Sequence, residues 1–205
     1  MHIDWQTPKA LFANLEREFQ FTLDVCALPW NAQCKSFYTP ADDGLALPWP
    51  GVCWCNPPFG GRIIGHWVKR VYEQAQLGST VVVLLPFNGA SDVDWWHRFA
   101  LRSSELRYFR GRPSFVNADG RETSMRTMLL VFRPYCGGPP VVSSVDRNGA
   151  PYTVEGLQTA ANSAMQQGAK AQIKRFCYAC ELFSTCSSAN SVEACNKFRS
   201  RLTSA

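Results

Sequence analysis

"TVVVLLP" occupies residues 80–86 and is an unbroken apolar run. A strand with one wet face alternates apolar and polar residues. A run without alternation is covered on both faces, as in the centre of a parallel sheet. The neighbouring sequence supplies the covering layers. Upstream, Trp67, Val68, Val71, Tyr72 and Ala75 share one side of a helix that Gly78 ends. Before that helix, "GVCWC" (51–55) reads as a second strand, with Cys53 and Cys55 on one face as core residues.

Farther upstream, Thr7 is placed to cap a helix and Pro8 to take its first position. Leu11, Phe12, Leu15 and Phe19 share a face of it. "FTLDVCA" (21–27) reads as a short buried strand, "CKSFYTP" (34–40) as another, and "ADDGL" (41–45) as a turn. Downstream, Ser91 can cap a helix carrying Val93, Trp96 and Phe99. "ELRYFRG" (105–111) and "RTMLLVFRP" (126–134) read as two strands around the polar turn "NADG" (117–120). This succession predicts an open, doubly wound α/β sheet. In such sheets ligands bind beyond the carboxyl ends of the strands, and Asp24 and Asn56 both stand at such ends.

The chain of 205 residues is 46% hydrophobic and 18% charged, a globular balance. Its net charge of +5 permits a nucleic-acid partner without demanding one. No apolar run approaches the roughly 18–20 residues of a membrane span, and the N-terminus lacks the pattern of a signal peptide, so the expected location is the cytoplasm. In that setting the nine cysteines read as buried thiols or metal ligands rather than disulfides.

From residue 137 the texture changes. "GGPPVVSSVDRNGAP" reads as a linker, giving a division into a domain over 1–136, a linker over 137–152 and a helical, Cys-rich extension over 153–205. Val154, Leu157, Ala161, Ala164, Gly168 and Ala171 mark a narrow helical stripe over 154–175. Cys177, Cys180, Cys186 and Cys195 form C-x2-C-x5-C-x8-C, a set that can hold one structural zinc, stand as scattered buried thiols or, as the weaker alternative, ligate an iron–sulfur cluster. Lys170, Lys174 and Arg175 precede them and can meet DNA phosphates.

The strand 51–55 runs into "NPPFGG" (56–61), where two prolines forbid a central strand from continuing. The residues suit chemistry at an aromatic amine, a poor nucleophile whose lone pair is delocalised into the ring. Two acceptors aimed at its N–H bonds would hold it and push it toward tetrahedral geometry. Asn56 offers a side-chain carbonyl, and Pro57 a backbone carbonyl that Pro58 leaves free. Phe59 offers a face for a flipped-out base, and Gly60 and Gly61 allow a ligand close approach. A neutral amide suffices, because the work is positioning and electrostatic assistance.

"NPPF" resembles motif IV of S-adenosylmethionine-dependent amino-methyltransferases. The ordered set "W-x-TP", "LDVCA", "N-A", "YT", "DDGL", "W-x-G-V-x-W-x-NPPF", "W-V" and "GRPSF" is similar to the phage-type DNA N6-adenine methyltransferases, the Dam family, over about residues 4–134. The resemblance implies a Rossmann-like sheet, reduced in its early strands, that takes a methyl group from S-adenosylmethionine to adenine in DNA. It implies Asn56, Pro57, Pro58 and Phe59 as the catalytic motif. It also implies Thr7, Pro8, Asp24, Cys26 and Ala27 on the donor side, with Asp24 meeting the methionine amino group. The usual glycine-rich loop is absent, since "LDVCALPWN" has no glycine. The strand carrying a ribose-binding acid is shortened, and either Asp42 or Asp43 stands in for it or shapes a turn. The competing readings are a DNA-binding module without turnover and an amino-methyltransferase acting on RNA or protein.

Overall fold

The computed structural model describes residues 5–60, 63–87 and 92–153. All of these but Thr153 belong to one compact unit, Met1–Tyr152. The described elements, in chain order, are α1 (Lys9–Phe19), β1 (Leu23–Asp24), β2 (Val52–Cys55), α2 (Ile63–Gln76), β3 (Thr80–Pro86), α3 (Asp94–Arg98), β4 (Glu105–Arg110), β5 (Ser114–Val116), β6 (Glu122–Ser124), β7 (Thr127–Phe132) and β8 (Val141–Asp146). Six strands form one sheet in the order β1-β2-β3-β7-β4-β8, and β5 and β6 form a separate hairpin. β1, β2 and β3 are parallel, as are β4 and β8, while β7 runs antiparallel to both neighbours. The sheet is therefore mixed, and the architecture is compatible with a methyltransferase fold.

Residue alternation assigns the two faces. Cys53, Cys55, Val81, Val83, Leu85, Met128, Leu130 and Phe132 pack with Ile64, Trp67, Val68, Val71 and Ala75 of α2. Trp54, Val82, Leu84, Leu129 and Val131 pack with Leu11, Leu15 and Phe19 of α1. The central run at 80–86 is thus covered on both sides, and Val81 through Leu85 are fully buried. Burying each such side chain is worth about 1.5–3 kcal/mol relative to exposure. Gly78 ends α2 with φ +102, a conformation that costs other residues strain.

Several sequence expectations are corrected. α1 begins at Lys9 with Pro8 at the N-cap, and no side chain caps it. Thr7 does not cap because its hydroxyl is engaged by Asn56. The strand expected at 21–27 shortens to β1, although Thr22 and Val25 continue its bonds to Val52 and Trp54. The segment 34–40 pairs by a single parallel bridge, Asp24 to Phe37. Its backbone nonetheless clamps β1, through Asp24 N–H to Ser36, Tyr38 N–H to Asp24 and Ala27 N–H to Tyr38. α3 follows Val93, and Ser91 lies outside the described residues. The turn at 117–120 is the tip of the β5–β6 hairpin, not a direct link between β4 and β7. Within the stretch read as a linker, β8 pairs with β4 and buries Val145. Its alternation was hidden because Val141 and Val142 lie exposed, so only one valine of the strand marks the core. The expected helix over 154–175 lies outside the described residues.

Candidate active site

β2 delivers the chain to Asn56 at the carboxyl edge of the sheet. Both hydrogens of the Asn56 amide are engaged. Nδ2 donates to the Trp5 carbonyl at 3.1 Å and to the Thr7 hydroxyl oxygen at 3.2 Å. Oδ1 is left as an acceptor facing outward from that pair. Pro57 is buried, and among the described residues no group donates to its carbonyl. Phe59 is half-buried, with its ring edge-on to the fully buried Phe115 at 6.3 Å.

A cavity of about 300 Å³ opens beside the elbow. Thr7, Asp24, Cys26, Ala27, Asp43, Asn56 and Pro58 all reach its wall, together with the apolar Val25, Leu28, Leu45 and Ile63. Pro8, Pro57 and Phe59 are not part of that wall, so the elbow divides the site, with Asn56 on the boundary.

Asp24 is the polar centre of the cavity and only 2% exposed. Its Oδ1 accepts from Cys26 N–H at 3.2 Å and its Oδ2 from Gln33 N–H at 3.0 Å. Burial pushes its pKa up to about 6, against the opposing pull of those two backbone bonds. Among the described residues no Lys, Arg or His forms an ion pair with it. The carboxylate folds the chain from 24 to 33 around itself, and Asn31 Oδ1 adds a bond from Leu28 N–H at 2.7 Å. The close backbone approach is made from the other side. A Cβ on Gly44 would stand 2.4 Å from the Val25 carbonyl oxygen, so only glycine fits there.

The two acids that the sequence left equivalent are separated. Asp42 Oδ2 accepts from the Thr39 amide at 2.8 Å and hydroxyl at 2.7 Å, and so closes its own turn. Asp43 holds φ 53 and faces the cavity. Cys26 is a neutral thiol, its pKa pushed up to about 12 by burial and then by the Asp24 charge. Cys177, Cys180, Cys186 and Cys195 lie outside the described residues, and no metal-holding group of His, Cys, Asp or Glu exists among those described. The residues that sequence reasoning passed over are Trp5, Gln33, Gly44 and Phe115. "W-x-TP", "DDGL" and "GRPSF" flagged three of them without assigning a contact.

The family model described as DNA N-6-adenine-methyltransferase (Dam) matches residues 2–153. This chain belongs to the Dam family. It is similar to the DNA N-6-adenine-methyltransferase of Haemophilus phage HP1, with 34% identity over 139 residues, covering 63% of this chain and 78% of the relative. It is an adenine-specific DNA methyltransferase.

Other charged groups of this Dam-family enzyme serve its scaffold. Arg107, on β4, is 8% exposed and grips Glu18 of α1 with both terminal nitrogens, at 2.7 and 2.6 Å. Glu105 bonds Arg107 and Arg133, whose guanidinium groups both lie over the Phe19 ring. His66 and His97 are exposed on helices. Lys69 is exposed and pairs with Glu73 at 3.4 Å, whereas the half-buried Arg70 donates to the Leu47 carbonyl at 2.8 Å and pairs with Glu73 at 3.8 Å. Arg110 stacks on Tyr152 at 4.6 Å, while Arg112 is exposed. No described helix is long and apolar enough to cross a membrane.

Proposed function

We propose that this enzyme transfers a methyl group from S-adenosylmethionine to the N6 amine of adenine in DNA, on a Rossmann-like sheet. The observation that carries the reading is the Asn56 amide: its two hydrogens are spent on Trp5 and Thr7, which leaves Oδ1 to accept. Asn56 Oδ1 and the Pro57 carbonyl accept the two N–H bonds of the amine. That draws its lone pair out of conjugation with the ring and localises it on the nitrogen, toward the cavity side of the elbow. Phe59 supports the extruded base, its own ring steadied by Phe115.

The cavity fits the donor chemically. It combines a largely apolar wall with one buried carboxylate that lacks a cationic partner. When bound, S-adenosylmethionine supplies an electrophilic methyl on a sulfonium. Asp24 would hold its amino group, Asp43 the ribose hydroxyls, and Cys26 and Ala27 the adjoining loop surface. Once methylated, the amine is cationic and sheds a proton to solvent without a dedicated base, in keeping with a neutral amide at position 56.

The test is to incubate purified protein with labelled S-adenosylmethionine and duplex DNA, then to analyse the nucleosides by mass spectrometry. N6-methyladenine should form, and Asn56→Ala should lower kcat by about 100- to 1,000-fold. Donor binding without methylated adenine would redirect the search to RNA or protein. Absence of donor binding would favour a DNA-binding module without turnover.

A further inference from the structure

Residues 5–7 lie across the carboxyl edge of the sheet. Gln6 N–H donates to the Val116 carbonyl at 2.8 Å, as an isolated antiparallel bridge. Val116 lies on β5, which pairs with β6 on its other edge. Gln6 therefore adds a one-residue third strand to the hairpin. The residues on either side of Gln6 are the two that hold the Asn56 amide, Trp5 through its carbonyl and Thr7 through its hydroxyl. Phe115, next to Val116 on the same strand, meets Phe59. One short strand thus reaches both ends of the elbow, the amide through Gln6 and the ring through Phe115.

We infer that Thr7 is a positioning residue for catalysis: its hydroxyl, held in place by the Gln6–Val116 bridge, fixes the Asn56 amide in the orientation that presents Oδ1 to the amine. Without that orientation the amide can rotate about its terminal torsion and present N–H donors to a group that is itself a donor. An elbow rigid in its backbone does not set this torsion, because the prolines constrain residues 57 and 58 and not the side chain of 56. Thr7 is 3% exposed and its hydroxyl oxygen accepts from the Asn56 amide, so the contact is shielded from solvent. The inference rests on the reading of Asn56 as the amine acceptor.

The decisive variant is Thr7→Val, which keeps the shape and removes the acceptor, with Thr7→Ser as the conservative control. Thr7→Val should lower kcat by about 10- to 100-fold, leave donor Kd and the KM for DNA within about threefold, and preserve cooperative unfolding. Thr7→Ser should recover kcat to within about threefold. Should Thr7→Val fail to fold, Thr7→Ala removes the same oxygen without burying a new methyl. A second readout needs no turnover. In protein carrying ¹⁵N-labelled asparagine, the side-chain amide pair of Asn56, assigned by its disappearance in Asn56→Ala, should shift in Thr7→Val and stay in Thr7→Ser. An unmoved amide pair with unchanged kcat would overturn the inference. So would a raised donor Kd with kcat intact at saturating donor, which would make Thr7 a donor contact. If the wild-type protein forms no N6-methyladenine, the proposed activity fails, and the amide resonances still decide whether Thr7 orients Asn56.

Discussion

The elbow and the cavity proposed to take the donor meet at Asn56, yet they are built by opposite means. The elbow is stiff because its covalent chemistry permits little else: two prolines fix the backbone and withhold two donors. The cavity wall from 24 to 33 has no such constraint. It is shaped by one buried carboxylate taking two backbone N–H bonds, with Gly44 pressed against Val25. A covalent device is insensitive to pH and local in sequence. A carboxylate device is sensitive to pH and depends on residues brought from elsewhere in the chain. The two halves should therefore fail differently, the elbow in kcat and the cavity in donor affinity.

Asp24→Asn should give the largest separation. Loss of the charge proposed to meet the donor's ammonium should weaken donor binding by about 30- to 100-fold with much smaller change in kcat at saturation, measured by calorimetry and by single-turnover kinetics. The same residue sets the pH dependence. Its folded pKa, about 6, lies above the ordinary 3.8, so the ionised form that meets a cation is fully present above about pH 7. Donor affinity should be flat there and fall toward tenfold per unit below pH 6, and Asp24→Asn should abolish the slope. The stability of the unliganded protein runs the other way. A raised folded pKa contributes stability that is complete below the unfolded value and is lost as pH rises through about 6, by about 3 kcal/mol at most. Thermal unfolding across pH 4–7, without donor, checks the sign.

Gly44→Ala comes next. The added methyl has to displace the Val25 carbonyl beside Asp24, which should cost about 1–3 kcal/mol of stability and raise donor KM several-fold while sparing kcat. An unchanged donor KM would mean that the loop does not depend on this close approach. Cys26→Ala should do least. A thiol that stays neutral to about pH 12 brings no charge to the donor, so affinity should move by no more than about threefold and show no new pH dependence between 6 and 9. A larger change would place Cys26 among the determinants of the cavity.

The same contrast explains what could be read in advance. Asn56 through Phe59 and the run at 80–86 were legible because their meaning is carried by adjacent residues: prolines in tandem, and apolar side chains without alternation. The two cysteines of β2 were assigned to one core face for the same reason, and they lie there. Thr7 was misread as a helix cap because Thr-Pro is a good local start signal, whereas its partner is Asn56, far along the chain. Asp42 and Asp43 could not be told apart, since only the backbone turn directs one to Thr39 and the other to the cavity. β8 escaped notice because its flanking glycines and prolines carry the signature of a linker while its pairing partner lies on β4. A motif can flag a residue that holds another, as it does Trp5 and Phe115, but it does not name the residue held.

The bridge between Gln6 and Val116 also bears on how the enzyme comes into being. These two residues are separated by most of the length of the compact unit, so their contact closes one of its longest loops, and such contacts form late because their entropy must be met before they are rewarded. During synthesis the elbow leaves the ribosome well before the hairpin that braces it. A nascent chain that already holds NPPF therefore still lacks the bridge from Gln6 to Val116, which closes only once β5 has been made.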